Sequence, residues 1–259
     1  MGCFAMYGAL LLTTAAGLFT ALGGILAVIK KPTQKAIAFS MGFAAGIMVT
    51  ISLGDMLPKA AEYYQSAFSK SMTVLVVASL LFMGMAIAGL LERCVPEQLA
   101  IAQMQQTQNQ NLVHSAVVMA AALVLHNLPE GILTLFAGIS NPDMGVRLAI
   151  AVALHNIPEG MIVAAPLYYA TNRRKKAVML ALFSGLSEPV GAGLAFLFVG
   201  KFLTPGFLNG LMVLVSGVML WISVAELIPT AYNMDKSKTT IAGVGTGVLL
   251  LLLGIKLLS

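Results

Sequence analysis

Charge is scarce in this chain: Asp, Glu, Lys and Arg make up only 10% of it, against 59% hydrophobic residues and a mean hydropathy of +0.91. A water-soluble domain carries roughly a quarter charged residues, so the composition excludes one here. Cysteine is as sparse. The two present, Cys3 and Cys94, are too few and too far apart in sequence for a disulfide framework, and neither has the company of a thiolate metal site. Histidine numbers three, which leaves no His-rich tract. What fills the chain instead is long apolar runs.

A helix needs about 20 apolar residues to cross a hydrocarbon core roughly 30 Å thick. Eight runs qualify, at about 6–29, 36–57, 71–91, 112–139, 145–170, 177–200, 205–229 and 239–258. The expectation is an all-α integral membrane protein, a single transmembrane domain over residues 1–259. The connections hold nearly all the Lys and Arg. With the N-terminus outside, the inner loops take Lys30, Lys31, Lys35, Arg93, Arg173, Arg174, Lys175, Lys176, Lys236 and Lys238, ten of the fifteen basic residues. The positive-inside bias therefore favours both termini outside, and the formal charge of +5 reads as a topology signal rather than as nucleic-acid binding. The first run exceeds a signal-peptide core and is expected to stay as a span. The polar stretch from Glu92 to Asn111 reads as a solvated linker.

Against this background one hexapeptide occurs twice, 29 residues apart: His126-Asn127-Leu128-Pro129-Glu130-Gly131 and His155-Asn156-Ile157-Pro158-Glu159-Gly160. An ionisable group in hydrocarbon loses its hydration, so intramembrane His and Glu usually face a partner, a cavity or a substrate path. On a helix, His and Glu four apart share a face and Asn lies on the adjoining strip. Pro129 and Pro158 have no N–H for the carbonyls of Leu125 and Leu154, which leaves a backbone oxygen free at each site and favours a kink. Gly131 and Gly160 allow a neighbouring helix to approach closely.

Depth brings in a third acid. Glu188, in Ser187-Glu188-Pro189, stands at the midpoint of the sixth run, as the two hexapeptides do in theirs. Three carboxylates with two neutral imidazoles carry −3, which one divalent ion brings to −1 and two bring to +1. Imidazole, carboxylate and amide oxygen without thiolate suit Zn²⁺, Fe²⁺, Mn²⁺ or Co²⁺ and argue against Cu⁺. Glu130 and Glu159, with His on one side and Asn on the other, are placed to bridge two ions, one nitrogen-rich site beside one oxygen-rich site. The bland alternative is a pair of kinked helices whose polar residues bond each other as packing glue.

A longer repeat bears on architecture. Residues 46–60 align without gaps to 217–231, with Gly, Met, Ile, Ser, an acid, Pro and Ala recurring. The copies lie in the second and seventh runs, an odd number of helices apart, so they cross the membrane in opposite directions. The helices then read as a 3+2+3 inverted-repeat arrangement, a common plan for secondary transporters. The repeat's acids, Asp55 and Glu226, each stand three residues before a proline at the end of a span and mark opposite mouths of a pathway, or are two solvated interfacial acids.

The paired H-N-x-P-E-G motifs, the S-E-P of the sixth run and eight spans with both ends outside resemble the ZIP family of divalent metal transporters, its bacterial branch above all, over essentially the whole length. The resemblance implies a binuclear metal centre, with His126, Glu130, His155 and Glu159 around one ion and Asn127, Glu130, Asn156, Glu159 and Glu188 around the other. It implies uptake of Zn²⁺, and of iron, manganese, cobalt or cadmium, across a bacterial inner membrane into the cytoplasm, with no catalysis. Its partners would be metal ions and the lipid bilayer, a homodimer being open to it. One departure is the linker before the fourth run, which lacks the histidines many eukaryotic members carry there. A different class, an intramembrane di-metal enzyme, also builds sites from Glu and His on facing helices, yet the Glu-x-x-His and His-Glu-x-x-His spacings are missing from this sequence.

Overall fold

The computed structural model describes residues 3–94, 110–199, 204–236 and 238–258, and among these there is no strand. The helices are α1 (Cys3–Val28), α2 (Gln34–Ala67), α3 (Lys70–Cys94), α4 (Gln110–Ser140), α5 (Pro142–Thr171), α6 (Arg174–Leu194), α7 (Pro205–Met234) and α8 (Thr239–Leu258). The first seven contain stretches long and apolar enough to cross a membrane, and the apolar part of α8, Thr239–Gly254, is shorter. Residues 95–109 of the polar stretch read as a linker lie outside the described residues.

By contacts the helices gather into two groups, α1, α4, α5 and α6 in one and α2, α3, α7 and α8 in the other. In the first group, α4, α5 and α6 are joined by very short turns. Asn141 caps α5, its side chain accepting from the amides of Asp143 at 3.0 Å and Met144 at 3.2 Å, with Pro142 in the first turn, where a missing N–H costs nothing. Asn172, in the left-handed region at φ 57°, ends α5 and sends the chain straight into α6. Prolines 129, 158, 166 and 189 all lie inside helices that continue through them.

The second group treats its prolines differently. Just before Pro58 and Pro229 the helix widens into a π turn, at Ser52–Met56 in α2 and Ile222–Leu227 in α7. Leu57 donates its N–H to the Ser52 carbonyl, and Ile228 donates to that of Ser223, each five residues back. Proline clashes with the carbonyl four residues before it, and one widened turn moves that carbonyl aside. The two turns occupy equivalent positions of the 46–60 and 217–231 repeat, and each packs against the helix that carries the other. Ser52 Oγ donates to Met219 Sδ at 3.5 Å, while Ser223 Oγ turns back on the Met219 carbonyl at 2.8 Å.

Both of these helices outrun their apolar stretches, α2 reaching Ala67 and α7 reaching Met234. The apolar count stops at the first polar residues after the proline, but a helix does not. Beyond Pro58, Ala60 is fully buried and Tyr64 anchors the extension by donating its hydroxyl to the Gly206 carbonyl at 2.9 Å.

Candidate metal centre

Because α4 and α5 form a tight antiparallel hairpin, their hexapeptides meet head to tail. His126 Nε2 lies 3.3 Å from Glu159 Oε1 across the hairpin and 3.3 Å from Glu130 Oε2 on its own helix. His155 Nε2 lies 2.9 Å from Glu130 Oε1. His126, His155 and Glu159 each offer one ligand atom within 4.8 Å of the others. All four residues are buried, none more than 5% exposed.

The orientation of the His155 ring follows from its neighbours. Nδ1 is 3.0 Å from the Ala151 carbonyl, an acceptor only, so Nδ1 carries a hydrogen and Nε2 is the nitrogen that faces the carboxylates. An imidazole nitrogen and a carboxylate oxygen 2.9 Å apart share a cation between them, a proton on the nitrogen or a metal ion that replaces it. Two ligands bound tetrahedrally to one zinc at 2.0–2.1 Å stand about 3.3 Å apart; the two His126 contacts match that separation at 3.3 Å, and the His155 contact is shorter at 2.9 Å.

The asparagines define the other half. Asn127 Nδ2 donates to the Ser184 carbonyl of α6 at 3.1 Å, and Asn156 Nδ2 donates to the Ala16 carbonyl of α1 at 2.9 Å and to Glu188 Oε1. With their amino groups committed to oxygen acceptors, the Oδ1 atoms of both residues have no hydrogen-bond partner among the described residues. Glu130 Oε2, both oxygens of Glu159 and Glu188 Oε2 share that condition. A buried acceptor left unpaired costs about 1–3 kcal/mol. A buried cluster with this excess of unpaired acceptors is suited to cations.

Glycine sets the spacing. A methyl at Gly131 would overlap the Glu188 carbonyl of α6, and one at Gly160 would overlap the Thr20 carbonyl of α1. The residue after each motif glutamate is thus where the next backbone comes closest, which draws α6 and α1 onto the hairpin.

All seven expected ligands therefore come from one helix group. His126, Glu130, His155 and Glu159 converge, Asn156 binds Glu188, and Asn127 is held on α6. Ser184 and Ser187, near Glu188 in sequence, do not bond its carboxylate: Ser184 Oγ returns to the Leu180 carbonyl at 3.0 Å, and Ser187 Oγ donates to the Ser184 carbonyl. Asp55 and Glu226 stand in the π turns of the other group, half-buried, with the Asp55 carboxylate 2.7 Å from Lys59 Nζ. The contribution of α1 was not expected. It supplies no side-chain ligand, only the Ala16 carbonyl and a surface for Gly160, and its signal in the sequence is the row of small residues Thr13, Ala16, Gly17, Thr20 and Gly24.

A profile of the family described as ZIP Zinc transporter matches residues 93–257, which take in both hexapeptides and Glu188. The chain is 39% identical over 253 residues to the zinc transporter ZupT of Akkermansia muciniphila, covering 93% of this chain and 94% of that protein. It is 35% identical over 256 residues to ZupT of Chlorobium chlorochromatii, with 95% and 96% covered, and 37% identical over 243 residues to ZupT of Neisseria meningitidis serogroup B, with 92% and 90% covered. Likeness that runs almost end to end, and not over the motifs alone, makes this multi-pass membrane protein a member of the ZIP zinc transporter family.

Proposed function

We propose that this chain carries divalent metal ions, zinc first among them, across a membrane through the centre between α4, α5 and α6. One observation supports this above the others: a buried cluster of imidazole, carboxylate and amide acceptors, most of them without donors, inside helices that cross lipid. Family membership adds that the chemistry is transport, which sets the di-metal enzyme aside.

The centre is read as binuclear. His126, His155, Glu130 and Glu159 hold the ion on the nitrogen-rich side. Asn127, Asn156 and Glu188 hold the second ion, with Glu130 and Glu159 bridging. Iron, manganese, cobalt and cadmium are admitted by the same donor set. The direction is uptake into a bacterial cytoplasm, with both termini outside, from the loop charges. Asp55 and Glu226 are assigned to opposite membrane faces from span order alone, as acids that attract the ion at entry and exit.

Zinc uptake into proteoliposomes tests the reading, comparing wild type with Glu130→Ala and Glu159→Ala. Loss of uptake in both is expected, and uptake at the wild-type rate in both overturns the site. Metal analysis of purified protein at saturation should find more than one divalent ion per chain; a ceiling of one removes the second site.

A further inference from the structure

Six basic residues gather at one end of the α1–α4–α5–α6 group, remote from its metal centre. Lys30 and Lys31 follow the end of α1, and Arg173, Arg174, Lys175 and Lys176 form the turn into α6; all six are exposed. Helix register brings the two sets level. Gly17 lies against Gly185 and Gly24 against Ala181 and Val178, so α1 and α6 run antiparallel and the last turn of α1 meets the first turn of α6. Asn156 bonds the Ala16 carbonyl and Gly160 lies against Thr20, so α5 runs parallel to α1 and ends at the same level. The described acids of this group are elsewhere: Glu130, Glu159 and Glu188 in the centre, and Asp143 in the first turn of α5, at the opposite end.

The turn is braced. Thr171 Oγ1 donates to the Leu167 carbonyl at 2.6 Å and accepts the Arg173 N–H at 3.3 Å, beneath the left-handed Asn172. Arg174 Nε donates to the hydroxyl of the buried Tyr168 at 2.9 Å, with its guanidinium carbon 5.5 Å from the ring centre. That bond employs Nε and leaves both Nη amino groups, the fork that pairs with a phosphate.

The charge is placed against its own helix. Cations at a helix N-terminus oppose the macrodipole, and Arg173, the residue before α6, gives no side-chain cap to the first-turn amides. Mutual repulsion, dipole and uncapped amides are all relieved by one anion. Beside them the last turns of α1 expose Leu22, Ile25, Leu26 and Ile29, an apolar wall running away from the charges.

We propose that this end binds the phosphate of an anionic phospholipid. The Arg174 fork and the first-turn amides of α6 take the phosphodiester, Lys30, Lys31, Arg173 and Lys175 surround it, and the acyl chains lie along α1. Basic clusters at the membrane surface attract anionic headgroups residue by residue, and a braced arginine converts that attraction into a site.

The test is native mass spectrometry of the full chain in detergent with added phosphatidylglycerol or phosphatidylcholine. Wild type should retain phosphatidylglycerol in preference, and R173Q/R174Q/K175Q/K176Q should weaken that retention on the order of tenfold or more. Tyr168→Phe, which unpins Arg174 but keeps every charge, should weaken it by a smaller factor. Zinc binding at the centre should be unchanged in both variants, which shows that they fold. Equal retention by the quadruple variant, equal retention of the zwitterionic lipid, or displacement of the lipid by millimolar inorganic phosphate would each overturn the assignment.

Discussion

The two helix groups are built of the same material and handle buried polarity in opposite ways. In the α1–α4–α5–α6 group, three glutamates and two histidines are buried side by side, with most of their ligand atoms unpaired. In the α2–α3–α7–α8 group the buried polar residues described are serines and threonines. Several of these return their hydroxyl to the carbonyl one turn back, as Thr50, Ser216 and Ser223 do, while Asp55 and Glu226 stay half-buried on π turns. A self-bonded hydroxyl asks nothing of a ligand. Unpaired carboxylates do, so the difference separates helices that keep buried acceptors open from helices that close theirs on themselves.

Breaking the first group should have the largest effect. Glu130→Ala removes a carboxylate whose two oxygens face His126 and His155, and Glu159→Ala removes one that faces His126, so zinc uptake in proteoliposomes should fall on the order of a hundredfold or more, beyond the loss usual for groups that merely orient ligands. Next comes His155→Ala. The oxygen-rich half keeps its donors, so metal analysis should show one ion lost per chain while the other remains; retention of both would remove His155 from the centre.

Gly160→Ala tests geometry rather than ligation. A methyl would overlap the Thr20 carbonyl, and forcing α1 away should cost about 1–3 kcal/mol, read as a lowered thermal midpoint in detergent. An unchanged midpoint would mean that the contact is soft. The smallest effect belongs to the second group: Asp55→Asn breaks an exposed ion pair with Lys59 worth about 0.3–0.5 kcal/mol, and uptake should drop only a few-fold. If Asp55→Asn abolished uptake as Glu130→Ala does, the contrast between the groups would fail.

Much of the centre was legible because its chemistry is local. His126 and Glu130 are four apart on one helix, and the identical spacing on α5 carried half the geometry before any packing was known. The spans were legible for the same reason, each being a continuous apolar run. What escaped was non-local or backbone-borne. No residue type announces a π turn, and Ser52–Met56 became visible only through the hydrogen bond from Leu57 to Ser52. The ends of α2 and α7 escaped because apolarity measures the membrane, whereas Tyr64 extends its helix by a single bond to Gly206. The gathering of α1 with α4, α5 and α6 escaped because the α1 contacts that matter are main-chain oxygens.

That last feature makes α1 a lever as well as a wall. Asn156 is tethered to the Ala16 carbonyl by the same amino group that binds Glu188, so a shift of α1 along its axis would turn the amide and move its oxygen relative to the proposed ion. By thermodynamic linkage the influence runs both ways. Under the proposed function, a helix with no ligand of its own would set how tightly cargo is held, and filling the centre would bear on the position of that helix in return.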